Sequence, residues 1–181
     1  MSDADQFEAF VRSYQDMVFG TAVRLLGNRV EAEDVAQTVF LRAFQSFERI
    51  GSSPAAAGWL KTVTRHACLN HLTRYRARWR FFSELAESDG EGARTAYETT
   101  LVSDSSPALD LERADRRERL EQALHGLPDH QRVPLVLFHF EDMSYQDIAG
   151  ALGVSVGKVK TDIHRGREAL RRLLTADHVS R

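Results

Sequence analysis

The sequence predicts an all-α protein made of two small helical domains joined by a flexible acidic linker. Its 181 residues allow one medium domain or two small ones. The helix formers Ala, Leu, Arg, Glu and Gln dominate, and only four prolines interrupt them. Over most of the chain, apolar residues recur at intervals of three and four, which is the spacing of one face of an α-helix.

The N-terminal domain is predicted to span 1–82 as a bundle of three helices. Apolar side chains at helical spacing fill 5–26, and Gly27 followed by Asn28 ends that helix. A second helix opens near Val30, with acids in its first turn that suit the helix dipole. Its apolar stripe consists of Val35, Val39, Phe40, Ala43, Phe44 and Phe47. Residues 51–54 break the chain, and a third helix follows from about 55 to 79.

Residues 83–110 are predicted to be the linker, because Gly, Ser, Thr, Asp and Glu predominate there with little periodicity. Residues 84–112 hold eight acids and one base, whereas 59–83 hold six bases and no acid, and 144–181 hold seven bases and four acids. The net charge of −2 does not itself indicate a nucleic-acid-binding protein. Two basic stretches around an acidic spacer could nevertheless contact a polyanion at two places, the alternative being two solvated helix faces.

The C-terminal domain is predicted to span 111–181 and to contain a helix-turn-helix after a helix at about 129–140. Ser144 is expected to cap the first helix of the motif, with Asp147 completing a capping-box-like pair. Gly153 permits a left-handed turn, Val154 is expected to fill the core behind it, and Ser155 caps the second helix.

The second helix of this motif has one apolar side and one basic side. The residues expected to face inward from the two helices are Ile148, Ala149, Leu152, Val156, Val159, Ile163 and Leu170. The opposite side displays Lys158, Lys160, Thr161, His164, Arg165 and Arg167. A helix in the major groove needs cationic and hydrogen-bonding groups of this kind to reach bases and phosphates. The pattern therefore favours duplex DNA binding over the alternative, a helical hairpin that merely packs.

Other classes of protein and site are not indicated. Cys68 is the only cysteine, so it forms no intramolecular disulfide and is predicted to be a small buried hydrophobe. The acidic N-terminus is unlike a signal peptide and no apolar run could cross a bilayer, so we expect a cytoplasmic protein. No nucleophile–base pair, phosphate loop or metal-ligand spacing indicates an enzyme, a cofactor or a metal site. His66, His71 and His164 are predicted to be scattered surface residues.

Both halves of the sequence resemble one protein family, in the order that the family has them. Four segments resemble the fourth conserved region of the extracytoplasmic-function (ECF) group of bacterial sigma factors. They are LEQAL at 120–124, FEDMSYQDIA at 140–149, LGVS at 152–155 and HRGREAL at 164–170. The segment EAEDVAQTVFLRAF at 31–44 resembles their second region, where the polymerase core is gripped. WLKTVTRHACLNHLTR at 59–74 is similar to the part that melts and reads the −10 element.

The resemblance implies a sigma factor that binds core RNA polymerase and directs promoter-specific transcription initiation. The residues implied in binding a basic coiled coil of the core are Glu33, Asp34, Gln37 and Phe40. Those implied at the −10 element are Arg65, His66, Asn70, Arg74, Arg76 and Arg78. Those implied at the −35 element are Ser155, Lys158, Lys160, Thr161, His164, Arg165 and Arg167. The implied partners are bacterial RNA polymerase core, promoter DNA and an anti-sigma factor, with no membrane insertion.

The chain departs from the family's pattern at several positions. Thr38 stands where an acid commonly follows the Gln of the core-binding motif. His66 replaces the usual Asn and Asn70 the usual Asp, so a preferred −10 base is not carried over. Asp162 stands where many members have Arg, and its carboxylate would repel phosphate or accept from cytosine N4. Pro134 falls inside a predicted helix, where it removes one hydrogen bond and is expected to kink or delay the helix.

A helix-turn-helix regulator that acts without core polymerase is the alternative function. It predicts tight duplex binding by the protein alone, whereas a sigma factor binds a promoter weakly until core is added. A sigma-like protein kept silent by a masking partner is a further possibility, and the sequence does not name that partner.

Overall fold

The computed structural model describes the backbone of residues 3–83 and 107–179, and the side chains of 4–73 and 112–176. The chain divides into two compact units, Met1–Gly92 and Ala93–Arg181. The described residues form eight helices and no strand, which confirms the predicted all-α class with two helical domains. The linker predicted for 83–110 falls mostly outside the described residues.

The first unit contains α1 (Asp3–Leu26), α2 (Arg29–Gln45), α3 (Phe47–Ile50) and α4 (Ala56–Ser83). The three long helices α1, α2 and α4 each pack against the other two. Their shared core is apolar and includes Val18, Ala22, Leu25, Val35, Val39, Leu60 and Leu72. Cys68 is fully buried in it, which confirms its prediction as a small core residue.

A two-residue turn separates α1 from α2. Gly27 adopts a left-handed φ of 66°, and its N–H donates to the Val23 carbonyl, which closes α1 where the sequence predicts. The Asn28 side chain caps α2 by accepting from the backbone N–H of Val30 at 2.9 Å and of Glu31 at 3.2 Å. An asparagine at this position satisfies donors that have no partner within the helix.

The end of α2 differs from the prediction. The sequence places Phe47 on the stripe of one continuous helix, but α2 ends at Gln45 and Phe47 opens the short helix α3. The turn between them brings the Phe47 ring to 5.1 Å from Phe7 and 5.5 Å from Phe10, centroid to centroid and nearly perpendicular. Phe44, predicted on the same buried stripe, is 59% exposed, because α1 and α4 cover only part of this wide apolar face.

The second unit contains α5 (Pro107–His125), α6 (Asp129–His139), α7 (Tyr145–Leu152) and α8 (Val156–Val179). Helix α8 contacts each of the other three. The core of this unit includes Leu124, Val133, Leu135, Val136, Leu137, Ile148, Val159 and Ile163. Helix α5 begins inside the predicted linker, at a proline whose fixed φ and missing N–H suit the first position of a helix.

Helix α6 starts at Asp129 and continues through Pro134, so Pro134 does not delay the helix as the sequence suggests. Every residue from 132 to 137 is buried, and this packing outweighs the hydrogen bond that the proline removes. The buried Arg132 guanidinium donates to the Leu127 carbonyl at 3.0 Å and to the Asp129 carboxylate at 2.6 Å. These hydrogen bonds stabilise the first turn of α6 and join it to Leu127 in the turn before the helix.

None of the described helices is both long and apolar enough to cross a membrane. Among the described side chains, no group of three or more His, Cys, Asp or Glu is placed to hold a metal ion. His71 corrects one expectation, because it is half-buried rather than a surface residue. Its Nε2 lies 3.2 Å from the Glu31 carboxylate and links α4 to α2.

Candidate functional site

The two helices of the helix-turn-helix, α7 and α8, are capped as predicted. The Ser144 hydroxyl accepts from the Asp147 N–H at 3.1 Å and donates to the Asp147 carboxylate at 2.7 Å. Gly153 ends α7 with a left-handed φ of 66°, a conformation that costs other residues energy. The Ser155 hydroxyl then accepts from the Lys158 N–H at 3.2 Å at the start of α8.

The buried side of the motif is narrower than predicted. Ile148, Ala149, Val159 and Ile163 are buried where α7 and α8 meet. The residues that are only half-buried are Leu152, Val154, Val156 and Leu170. Val154, expected to fill the core, lies in the turn itself, where the chain runs over the surface of the unit.

The opposite side of α8 is exposed along its first three turns. The exposed residues are Lys158, Lys160, Thr161, His164, Arg165 and Arg167. These are the six helix residues that the sequence assigns to the −35 element. Ser155 is exposed as well, although its hydroxyl is engaged in the cap.

Asp162 corrects the expectation that its carboxylate faces DNA. Its side chain is 7% exposed, so it lies on the inner side of α8 rather than in the exposed row. One carboxylate oxygen accepts from Lys158 Nζ at 2.7 Å, and the Lys158 side chain is 51% exposed. A carboxylate buried in this way is not presented on the exposed side of α8, and the ion pair partly neutralises a cation assigned to DNA.

Two further cations of α8 rest on aromatic rings. Lys160 Nζ lies 5.6 Å from the centre of the Tyr145 ring, and the Arg167 guanidinium carbon lies 5.6 Å from the centre of the Phe138 ring. Arg167 Nε also donates to His139 Nε2 at 3.0 Å. Partial burial and, secondarily, the positive charge of Arg167 lower the pKa of His139. The ring is therefore neutral near pH 7 and accepts this hydrogen bond.

A groove of about 810 Å³ lies between α1 and α2 in the first unit. Its lining is largely apolar with a few charges and comprises Phe7, Val11, Gln15, Asp16, Phe19, Arg29, Glu33, Ala36, Gln37, Phe40, Leu41 and Phe44. Glu33, Asp34 and Gln37 are exposed, Phe40 is half-buried, and Glu33 pairs with Arg29 at 3.2 Å. Three of the four residues assigned to core binding thus line one groove, and Asp34 lies on the same helix.

Helix α4 carries the residues assigned to the −10 element. His66 and Asn70 are exposed one turn apart, and Arg65 is half-buried. Arg74, Arg76 and Arg78 continue the same helix, but their side chains lie outside the described residues.

Comparison with known proteins now gives the family. Residues 10–78 match the family Sigma-70 region 2, and residues 117–170 match the family Sigma-70, region 4. The chain is also 30% identical over 172 residues to the ECF RNA polymerase sigma factor SigW of Bacillus subtilis (strain 168), covering 95% of this chain and 90% of that protein. The chain belongs to the ECF sigma factors. These are transcription initiation factors rather than enzymes.

A second relative and a solved structure are also sigma factors. This ECF sigma factor is 33% identical over 178 residues to the RNA polymerase sigma-E factor of Streptomyces coelicolor (strain ATCC BAA-471 / A3(2) / M145), covering 97% of this chain and 90% of that protein. The solved sigma factor RpoE, in complex with the anti-sigma factor NepR from Bartonella quintana, shares the fold with a TM-score of 0.54 and 22% identity. That likeness covers 94% of this chain and 98% of the other.

Sequence reasoning missed several features of the ECF sigma factor's surfaces. Leu41 and Phe44 are 65% and 59% exposed at the groove, although apolar runs are usually assigned to a core. The signal was present, because α2 carries more apolar residues than one buried stripe can hold. The rings of Phe138 and Tyr145 beneath the cations of α8 gave no sequence signal, since they come from two different helices.

Proposed function

We propose that this sigma factor binds core RNA polymerase and directs it to specific promoters. In this proposal 1–82 grips the core and opens the −10 element, 83–110 is the flexible linker, and 111–181 reads the −35 element. The observation that carries the proposal is the match to two sigma-70 regions, in the family's order, on two separate helical units. The exposed residues of each unit have the chemistry that its role requires.

Core polymerase is proposed to bind the groove between α1 and α2. Glu33, Asp34 and Gln37 present exposed acceptors that suit charge-assisted hydrogen bonds to a basic coiled coil. Beside them, Leu41 and Phe44 offer exposed apolar side chains that would be covered on binding. An interface with an apolar centre and a charged rim gains both affinity and orientation. Phe40, half-buried in the same groove, would complete its apolar centre.

The −10 element is proposed to lie along α4. Arg65, His66 and Asn70 supply one cationic and two polar side chains within two turns of this helix. The arginines at 74, 76 and 78 would add charge toward the end of α4. A separated strand with an unstacked base is held by such a mixture of cations and planar or polar groups.

The −35 element is proposed to receive the N-terminal half of α8 in its major groove. The exposed residues Lys160, Thr161, His164 and Arg165 would face base edges and phosphates there. Ser155 and Lys158 lie at the N-terminal end of α8 and Arg167 lies one turn beyond His164, where backbone contacts position a recognition helix.

The protein is further proposed to act in the cytoplasm and to be masked by an anti-sigma factor. The Bartonella quintana sigma factor that shares its fold was solved with such a partner. The exposed apolar pair Leu41 and Phe44 would suit the same kind of contact here, because a masking protein must cover the surface that core polymerase needs.

The test is run-off transcription with purified core polymerase on a library of genomic fragments. We expect promoter-specific transcripts only when both the chain and core are present. Asp34→Arg should weaken core binding by at least about tenfold and abolish transcription, because it puts a cation against a basic surface. Glu48→Arg, a matched charge reversal of an exposed acid on α3 rather than on the helix that carries the four residues assigned to core binding, should bind core normally. Tight duplex binding by the chain alone, with no transcript on any fragment, would instead establish the core-independent regulator.

A further inference from the structure

Four side chains in the second unit form one continuous stack. The rings of Phe138 and Tyr145 lie face to face, with centroids 4.8 Å apart and an angle of 7° between their planes. Lys160 Nζ lies over the Tyr145 ring and the Arg167 guanidinium carbon lies over the Phe138 ring, each 5.6 Å from the ring centre. Phe138 and Tyr145 are called the aromatic platform below.

The turn between α6 and α7 builds the platform. Phe138 is next to the last residue of α6 and Tyr145 is the first residue of α7. Between them, Asp142 adopts a left-handed φ of 53°, and the Met143 N–H donates to the Leu137 carbonyl at 3.1 Å. A positive φ at a residue other than glycine is uncommon and costs energy. The turn therefore folds back tightly, and this brings the two rings together.

The spacing of the cations on α8 matches the platform. Lys160 and Arg167 are seven residues apart, which places them on one side of the helix and about 10.5 Å apart along its axis. Both remain exposed to solvent. Each is held from beneath by the negative face of a ring, and Arg167 is held a second time by the neutral His139 acceptor. Their outward N–H groups stay available to a ligand.

We propose that the aromatic platform is a positioning device for DNA binding, which holds Lys160 and Arg167 as a preformed pair of contacts to duplex phosphates. Long cationic side chains lose much rotamer freedom when they bind a phosphate, and a ring that already restricts them lowers that loss. Phe138 and Tyr145 thus contribute to affinity without touching DNA. The inference rests on the proposed function of the helix-turn-helix.

The test is a double-mutant cycle on the full chain with a fluorescent 30-base-pair duplex of mixed sequence, followed by anisotropy at about 0.1 M salt. Tyr145→Leu is expected to weaken binding about two- to fivefold, because Lys160 must then lose its rotamer freedom when it binds the phosphate. Tyr145→Phe keeps the ring and should restore affinity to within about twofold. In a Lys160→Ala background, Tyr145→Leu should have no further effect, because its target cation is gone.

The matched control is Arg165→Ala, which removes an exposed cation of the same helix. No ring contact involves Arg165 among the side chains described for 112–176, so its loss should add to that of Tyr145→Leu without coupling. The salt dependence separates positioning from loss of charge. Lys160→Ala should flatten the slope of log affinity against log salt by about 0.9, whereas Tyr145→Leu should leave the slope unchanged.

A second cycle pairs Phe138→Leu with Arg167→Ala and should show the same coupling. If Phe138→Leu unfolds the second unit, the cycle with Tyr145→Leu and Lys160→Ala tests the proposal alone. Tyr145 is half-exposed at the start of α7, so its replacement should leave the unit folded. If the wild type binds DNA and supports transcription but Tyr145→Leu has the same effect with and without Lys160, the proposal for the aromatic platform is overturned and the proposed function is not. Absence of duplex binding and of transcription by the wild type would instead overturn the proposed function.

Discussion

Replacing Asp162 with alanine is expected to tighten the binding of this sigma factor to duplex DNA. The Asp162 carboxylate lies on the inner side of α8 and holds Lys158 Nζ at 2.7 Å. In the absence of that carboxylate, the Lys158 ammonium loses its neutralising partner and swings into solvent on the face that is assigned to the −35 element. The local charge of the DNA-facing half of α8 rises by one unit.

The magnitude follows from the exposure of the two partners. A lysine that gains one phosphate contact steepens the slope of log affinity against log salt by about 0.9, and at about 0.1 M salt this corresponds to a three- to tenfold gain in affinity. The cost to stability is small. Lys158 is 51% exposed and rehydrates when it is released, and the buried carboxylate that desolvation disfavours is gone. We expect the free energy of unfolding to change by no more than about 1 kcal/mol.

The assay is anisotropy of the labelled duplex at four or more salt concentrations, with urea denaturation run in parallel. Glu168→Ala is the matched control, because it makes the same change in net charge on the same helix at an exposed acid outside the recognition half. It should change affinity by less than about twofold, since the cation that Glu168 releases is Arg171, which is not among the residues assigned to DNA.

Two results would refute this reasoning. An unchanged affinity and salt slope for Asp162→Ala would mean that Lys158 does not face the DNA backbone even after its release. Weaker binding with an unchanged unfolding midpoint would mean that Asp162 orients Lys158 productively, so that the ion pair is part of the DNA-binding geometry.

Three further predictions concern stability. Ser144→Ala should lower the free energy of unfolding by about 1 kcal/mol in urea denaturation, because it removes the cap of α7, whereas Ser144→Thr should retain most of it. Leu60→Ala should cost about 2–5 kcal/mol in the same measurement, since Leu60 is fully buried in the first unit, and a cost below 1 kcal/mol would contradict that packing. Lowering the pH from 7 to 5 should destabilise the wild type more than His139→Gln. Burial and, secondarily, Arg167 lower the pKa of His139 in the folded protein. As the pH falls, this histidine is therefore protonated in the unfolded chain at a higher pH than in the folded protein. The free energy of unfolding thus decreases as the pH falls below the ordinary histidine pKa of about 6.5. Identical pH dependence of the two urea midpoints would contradict the last prediction.

Much of the fold could be predicted because helix boundaries carry local chemical signals. Gly27 and Gly153 end helices where a left-handed residue is needed, and Ser144 and Ser155 open them with side-chain caps. These signals act over three or four residues and do not depend on the rest of the chain. The short helix α3 had no such signal, because the turn at Ser46 lacks a side-chain cap and is formed by the packing of Phe47 against α1.

The candidate site could be predicted only as far as a helical wheel allows. The exposed row of α8 follows from periodicity, so all its predicted members are on the surface. Asp162 was placed wrongly, because a carboxylate is expected on the surface unless a cation pairs with it. The sequence does not show that Asp162 is buried while Lys158 reaches it from the exposed side of the helix. The platform beneath Lys160 is a contact between three helices, and sequence spacing within one helix does not reveal it.

Because Cys68 is fully buried, its reactivity can report local opening of the first helical unit. Cys68 is the only thiol in the 181 residues, and a thiol without solvent access does not react with alkylating reagents. Its rate of modification therefore measures how often the packing around α4 loosens, on a native chain with no engineered label. A cysteine introduced at an exposed position would react first, so dyes can be attached selectively while the natural thiol remains protected.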